Sequence, residues 1–188
     1  DLSSPFNHEW CTYYLNSGVA WRPHLIFKFI RSLFSFDLLV ELSENKITMQ
    51  KFATGQFIEI EPWIALEGAK GKEKIKAIGR EAKSLKGPTI QTTNPFSHTR
   101  SFIGNFMLAE KILQHGVFTL NSSKLRAAPR VIMHQLEKTD GGLSDIEERV
   151  LRELASGIGA REVLIHTGSK INVRVQSYDD FKTKIKAT

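Results

Sequence analysis

The chain alternates between short apolar runs and longer stretches with an apolar side chain every three or four positions. Apolar runs at residues 38–42, 131–133 and 162–165 are flanked by polar or turn-forming residues, which is typical of buried strands. Residues 102–117 and 144–156 carry helical spacing, and Gly157 follows the second of these stretches. Strands that alternate with helices predict an α/β fold.

Weaker patterns fill the space between these elements. Residues 47–49 are predicted to form a hairpin with the first strand across the polar turn at 43–45. Residues 57–60 and 75–78 predict short strands, residues 79–85 a short helix, and residues 88–101 a loop. Residues 170–188 show one strand-like alternation, at Ile171, Val173 and Val175, and are interpreted as a basic tail.

The first 36 residues divide into two parts. Residues 1–23 show no period and are interpreted as an irregular extension. Residues 24–36 have polar positions at helical spacing and a basic polar face, which predicts an amphipathic helix able to lie in a membrane interface. The alternative is a helix or strand packed on the protein core. The predicted membrane-contact residues are Phe27, Lys28, Phe29, Ile30, Arg31, Leu33 and Phe34.

Composition narrows the functional classes. With 41% hydrophobic and 24% charged residues, the composition is that of a globular protein. Cys11 is the single cysteine, so we expect a reducing compartment and a cytoplasmic location. No apolar run reaches the roughly 20 residues of a membrane-spanning helix.

The net charge of +6 favours an anionic surface, such as the inner face of the cell membrane. Because the basic residues are scattered, without a nucleic-acid-binding motif, no nucleic-acid partner is expected.

Familiar catalytic motifs fail when their spacing is tested. The lysine-rich turn at 68–73 lacks the upstream glycine and the Ser or Thr of a phosphate-binding P-loop. The glycines at 157–162 end a predicted helix, whereas those of a dinucleotide site open one. The six histidines show no paired ligand spacing, so no metal site is predicted. Glu147 lies three residues after Ser144, which is the spacing of a helix capping box. Capping accounts for this carboxylate without a catalytic role.

Five stretches, in the same order and at nearly the same spacing, resemble the bacterial actin family MreB. They are residues 61–65, 79–83, 108–115, 128–132 and 146–163, and the third contains the run Glu-Lys-Ile-Leu-Gln-His. The resemblance implies an actin-like fold of the ribonuclease-H type, a mixed sheet flanked by helices. It places a first domain at 37–169 with a small α/β subdomain inserted around 55–100.

The resemblance also implies a function. Members of the family form ATP- and magnesium-dependent filaments on the inner membrane and guide wall synthesis. MreB-type filaments and cell-wall machinery proteins are therefore the expected partners. Glu147 matches the family's water-orienting carboxylate. The helix at 24–36 stands where the family often carries a membrane anchor.

The turn after the first strand departs from the family pattern. Where the family has Asp-Leu-Gly-Thr-Ala-Asn, this chain has Glu41, Leu42, Ser43, Glu44 and Asn45 and then a lysine. Glu41 keeps a carboxylate, whereas the phosphate-approaching glycine is Ser43 and the hydroxyl position is Glu44. At ~4 Å a carboxylate repels a phosphate by about 1–4 kcal/mol. Glu41, Ser43, Glu44, Asn45 and Glu147 are therefore candidate vestiges of a nucleotide site, and no cofactor is expected.

Two interpretations follow. In the first, the chain is an MreB-like domain that acts through protein and membrane contacts without ATP hydrolysis. In the second, it is a fragment of an ATP-binding filament protein, because the family's second phosphate loop and adenosine site have no counterpart in residues 170–188.

The membrane interpretation predicts that Phe29→Glu weakens binding to anionic liposomes, because it places a charge on the apolar face of the helix. Co-sedimentation with liposomes measures this directly. Unchanged sedimentation of the variant would remove membrane contact from both interpretations.

Overall fold

The structure is a computed structural model that describes residues 36–69, 71–99, 101–121 and 128–187. The predicted extension at 1–23 and the membrane-contact residues 27–34 lie outside this part. The elements are β1 (Asp37–Leu42), β2 (Ile47–Lys51), β3 (Phe57–Ile60), β4 (Ile64–Glu67), β5 (Lys74–Ile78), α1 (Arg80–Ser84), β6 (Ile90–Thr93), α2 (Phe106–Leu120), β7 (Arg130–Gln135), α3 (Asp145–Gly157), β8 (Glu162–His166) and α4 (Tyr178–Ala187).

A mixed five-stranded sheet organises the domain, in the order β3-β2-β1-β7-β8. β1 pairs antiparallel with β2, and the predicted hairpin is confirmed, with Leu42 opposite Ile47. β2 pairs antiparallel with β3, whereas β1, β7 and β8 run parallel to one another. With helices between the parallel strands, this sheet confirms the predicted α/β class.

Both faces of this sheet are covered, which explains the nearly continuous apolar runs of the central strands. Alternate residues of β1 point to opposite faces. Leu38 and Val40 pack in the larger core against α2 and α3. Leu39 packs in a smaller core with Tyr178 and Phe181 of α4.

The second helix, α2, approaches the sheet closely at Gly116. A Cβ atom at this position would lie 2.7 Å from the sulfur of Met49 and 2.8 Å from Cδ1 of Ile60. Met49 is fully buried. A side chain at position 116 would therefore require Met49 and Ile60 to move.

A second, three-stranded antiparallel sheet, in the order β5-β4-β6, lies in the chain between β3 and α2. The short helix α1 packs on it through Ala82, which is fully buried. β3, which falls within the predicted insertion at 55–100, pairs with the larger sheet. The separate sheet therefore comprises only residues between 64 and 93.

Two predicted elements are corrected in this region. The predicted loop at 88–101 contains β6, whose four residues pair with β4. The predicted helix at 102–117 begins only at Phe106, because the side chain of Asn105 accepts a hydrogen bond from the Leu108 N–H and caps it. Phe102 lies outside the helix. It follows the apolar spacing because it is buried against Phe96.

The strand-like alternation predicted at Ile171, Val173 and Val175 does not form a strand. Ile171 and Val173 are buried, but they lie in a loop, and residues Tyr178–Ala187 form α4. Ser177 and Asp180 exchange hydrogen bonds across the first turn of this helix, 3.2 Å for Asp180 N–H to Ser177 Oγ and 3.0 Å for Ser177 N–H to Asp180 Oδ2. Reciprocal capping of this kind starts a helix. No helix in the described ranges is long and apolar enough to cross a membrane.

Arg130 fastens α4 to the sheet. Its guanidinium makes a two-point contact with Asp37 on β1, at 2.6 and 2.7 Å, and reaches Asp179 at 2.7 Å. The same group lies 4.3 Å from the ring centroid of Tyr178. These carboxylates raise the pKa of Arg130, Asp37 first, against the opposing effect of burial. The charge network thus joins β7, β1 and α4.

We expect Arg130→Met to lower the free energy of unfolding by about 2 kcal/mol, because it leaves the Asp37 carboxylate without its partner. Fully buried pairs cost ~3–5 kcal/mol when broken, and these two side chains keep 18% and 25% exposure. Urea-induced unfolding followed by circular dichroism measures the change. Arg149→Met removes a more exposed pair on α3 and should cost below about 0.5 kcal/mol; equal effects of the two substitutions would contradict the role of Arg130.

Candidate nucleotide site

The turn that follows β1 is closed by its own hydrogen bonds. Ser43 N–H donates to the Lys46 carbonyl at 3.0 Å, and the Ser43 hydroxyl donates to the same carbonyl at 2.8 Å. In return, Lys46 N–H donates to Ser43 Oγ at 3.2 Å. The main-chain N–H groups at both ends of the turn are therefore used within it.

Glu44, at the tip of this turn, is held from three directions. Its N–H donates to Oε2 of Glu137 at 2.8 Å, and its carbonyl accepts from Asn94 Nδ2 at 2.7 Å. Its carboxylate accepts from Ser97 Oγ at 2.6 Å and lies 4.0 Å from Lys138 Nζ. The turn is therefore tied to the segments that follow β6 and β7.

The contact between Glu44 and Glu137 bears on nucleotide binding. Successive main-chain N–H groups in turns form concavities that bind anions, as in phosphate-binding loops. Here the anion at the Glu44 N–H is the carboxylate of Glu137. Two carboxylates, those of Glu44 and Glu137, therefore lie at the turn, and that of Glu137 accepts the hydrogen bond of the Glu44 N–H. Among the described side chains, no cluster of three or more metal-ligating groups is present.

Three polar side chains lie in one row across the carboxyl ends of the parallel strands. Glu41 on β1 is opposite His134 on β7, which is opposite His166 on β8. His134 is fully buried, and its Nε2 donates to the Gly168 carbonyl at 3.0 Å. Its Nδ1 faces Oε1 of Glu41 at 3.7 Å. The interaction with His134 lowers the pKa of Glu41 most, burial opposes it, and the charge of Lys170 adds to the lowering.

His166 lies against His134, with ring centroids 4.5 Å apart, and meets the edge of the Phe181 ring at 4.8 Å. Its Nε2 donates to the Ser169 carbonyl at 2.8 Å. Burial lowers the pKa of His166, and the bond to Ser169 partly opposes this. A Cβ atom at Gly168 would lie 2.6 Å from the His166 ring, so a side chain there would require the ring or the loop after β8 to shift.

Metal-ligand spacing does not detect His134 and His166. Another signal in the sequence does, because each histidine directly follows a predicted buried strand, at 131–133 and 162–165. In an α/β fold the carboxyl ends of parallel strands meet at one edge of the sheet. The same position near a strand end joins these histidines to Glu41.

Glu147 forms the predicted capping box at the start of α3. Ser144 N–H donates to Glu147 Oε2 at 2.9 Å, and Glu147 N–H donates to Ser144 Oγ at 3.4 Å. The main-chain bond from Ser144 lowers the pKa of Glu147 most, with a further contribution from the Ser144 hydroxyl. The nucleotide-related roles of Glu41, Ser43, Glu44, Asn45 and Glu147 remain predictions.

Comparison with known proteins identifies the relatives of this chain. No model of a known protein family matches the sequence. Cell shape-determining protein MreB of Pasteurella multocida is 30% identical over 145 residues, which cover 75% of this chain and 40% of that protein. The crystal structure of MreB 5 of Spiroplasma citri bound to AMPPNP covers 70% of this chain and 38% of that chain, with a TM-score of 0.54 and 16% identity. The chain is MreB-like. Its fold is the actin-like α/β fold that the sequence predicted.

The MreB-like chain spans about 40% of the length of the curated MreB relatives it matches. A shorter match, 36% identical over 85 residues, is to the Escherichia coli protein named Uncharacterized protein YjaA. It covers 40% of the MreB-like chain and 67% of that protein.

Proposed function

We propose that this chain is a cell-shape cytoskeletal domain that acts through contacts with MreB-type filaments and the wall-synthesis machinery, without hydrolysing ATP. The named relatives support the cell-shape role. The observation that carries the rest is the hydrogen bond from the Glu44 N–H to the Glu137 carboxylate. It supports a domain that keeps the actin-like scaffold and has replaced phosphate binding by an internal contact.

Two effects oppose the binding of a phosphate at this turn. A phosphate at this turn would first have to displace Glu137 and so leave a charged group without its donor. It would then meet the carboxylate of Glu44, which repels it by about 1–4 kcal/mol at ~4 Å. Lys138 offsets only part of this, because it lies 4.0 Å from Glu44 and is itself partly exposed.

A second candidate function is that of an ATP-binding MreB-type filament protein of which this chain is one part. It is favoured by the fraction of the relatives' length that the chain spans, 40%. The MreB 5 structure of Spiroplasma citri was obtained with AMPPNP. The two candidates differ in whether the turn after β1 accepts a phosphate, and this can be measured.

The proposal includes a cellular location for the domain, at the inner face of the cell membrane. The net charge of +6 and the basic, apolar pattern of residues 24–36 support a cytoplasmic position at the inner face of the cell membrane. The predicted contact residues Phe27 to Arg31, Leu33 and Phe34 precede β1 in the chain.

Isothermal titration calorimetry with Mg-ATP tests the nucleotide part of the proposal. We expect no measurable binding up to about 1 mM nucleotide. Micromolar affinity of this 188-residue chain would overturn the claim.

A double variant, Glu44→Gln with Glu137→Gln, should raise the affinity for pyrophosphate about tenfold, because it removes both carboxylates from the turn. As the matched control, Glu67→Gln with Glu153→Gln removes the same charge elsewhere, and equal affinities of the two double variants would show that the carboxylates are not the obstacle.

Co-pelleting with filaments tests the partner. We expect the chain to sediment with assembled MreB of Pasteurella multocida in proportion to filament concentration, and to stay in the supernatant when the filaments are omitted. A chain that remains in the supernatant at every filament concentration would contradict contact with MreB-type filaments. Since the readout is sedimentation of the chain itself, its result does not depend on nucleotide binding by the chain.

A further inference from the structure

A groove of ≈ 750 Å³ runs along the outer edge of β3. β3 is the last strand of the five-stranded sheet, and no other strand among the described residues pairs with its outer edge. The opposite wall comes from the start of α1, at Gly79 and Arg80, and from α2, at His115 and Thr119. The space is therefore a trough beside a strand edge, closed on its far side by two helices.

The register of β3 shows which main-chain groups face this groove. Lys51 N–H donates to the Gln56 carbonyl at 2.9 Å, so these two residues form a hydrogen-bonded pair. In an antiparallel ladder such pairs alternate with non-bonded pairs. The pairing of Gln50 with Phe57 and of Thr48 with Glu59 is therefore of the non-bonded kind. The N–H and carbonyl groups of Phe57 and Glu59 therefore point away from β2, toward the open edge of the sheet, and Glu59 also lines the groove.

We propose that this groove binds an extended segment of a partner protein as an added antiparallel strand. Peptides that extend a sheet gain affinity from main-chain hydrogen bonds and specificity from alternate side chains. The four outward groups of Phe57 and Glu59 supply the hydrogen bonds. The proposal does not depend on the nucleotide site.

The two faces of β3 define the chemistry of the partner segment. Residues opposite Ile58 and Ile60 would lie on the same face as those side chains, where Ile78 also lines the groove. This face favours aliphatic residues. Residues opposite Phe57 and Glu59 would lie on the other face. The partner segment therefore alternates aliphatic residues with residues suited to Phe57 and Glu59.

Charge selects basic residues for those other positions. Three carboxylates, those of Glu59, Glu61 and Glu81, line the groove together with the guanidinium of Arg80. Glu61 is paired with Arg80 at 3.0 Å and with Lys83 at 3.7 Å, so Glu59 and Glu81 are the carboxylates that a partner's cations would meet. Glu59 is bonded to Lys46 at 2.8 Å, but both side chains are about half exposed. Exposed ion pairs contribute little, so a partner's lysine or arginine can replace Lys46 at small cost. The occupant is therefore an extended segment with alternating aliphatic and basic side chains.

The test uses the capped peptide acetyl-Val-Lys-Val-Lys-Val-Lys-amide, titrated into the ¹⁵N-labelled chain and followed by NMR. We expect chemical-shift changes concentrated at the amides of Phe57 and Glu59. In the added strand, the lysine N–H groups face β3 and the valine N–H groups face away. Methylation of the lysine main-chain nitrogens should therefore weaken binding at least about tenfold, while methylation of the valine nitrogens leaves it nearly unchanged.

A matched pair of variants tests the same contact from the protein side. Phe57→Pro removes the outward N–H but no bond to β2, and proline is tolerated at a strand edge. Phe57→Ala removes the side chain and keeps the N–H. We expect at least about tenfold weaker binding for Phe57→Pro than for Phe57→Ala, with both variants showing the circular dichroism spectrum and the urea midpoint of a folded chain.

Four results would overturn the proposal. These are no binding of the unmethylated peptide, equal effects of the two methylation patterns, equal affinities of the two Phe57 variants, or shift changes away from β3. Light scattering of the free chain tests the alternative occupant, a second copy of the chain. A dimer that Phe57→Pro dissociates would show that the edge pairs with a second copy of the chain, and the peptide proposal would be wrong.

Discussion

The parallel pairing of β1 with β7 is the constraint on which the rest of the domain depends. β1 is the central strand, with β2 on one side and β7 on the other, and its residues Leu38 to Leu42 are buried on both faces. A shift by one residue would exchange the two faces, so that Leu39 and Glu41 would enter the larger core. The register is therefore fixed by burial. It places the end of β1, with its turn, beside the ends of β7 and β8.

The altered turn is integrated into the fold. Glu44 joins the hairpin to Asn94 and Ser97 after β6 and to Glu137 after β7. An N–H and a carboxylate in water gain little from pairing, but a buried or half-buried group left unpaired costs about 1–3 kcal/mol. The contacts of Glu44 therefore stabilise the arrangement of the hairpin with the segments that follow β6 and β7. In this sense the protein supplies its own anion at the turn.

Much of the larger sheet could be predicted from the sequence, because central strands and amphipathic helices have strong periodic patterns. The β1–β2 hairpin and the capping box of Ser144 and Glu147 were predictable from local chemistry alone. α4 was missed because Ile171 and Val173 suggested a strand, whereas their burial comes from packing under Tyr178 and Phe181. The Ser177–Asp180 cap was the local signal for this helix.

The candidate site was less predictable, for a physical reason. Glu41, Ser43 and Glu44 could be selected from the resemblance, but their partners are far away in sequence. Glu137 is 93 residues from Glu44, and Asn94 is 50 residues away. Which carboxylate reaches which amide depends on tertiary packing. The contacts of His134 and His166 likewise depend on the parallel register, which local patterns do not encode.

Gly116 has a consequence for the shape of the surface. It is flanked on α2 by His115, and Ile60 lies against it from the sheet, so two residues that line the groove beside β3 are its immediate neighbours. A side chain at this position would displace Met49 in the core and Ile60, which also lines the groove. The interior packing of this domain and the form of its exterior are set at the same position.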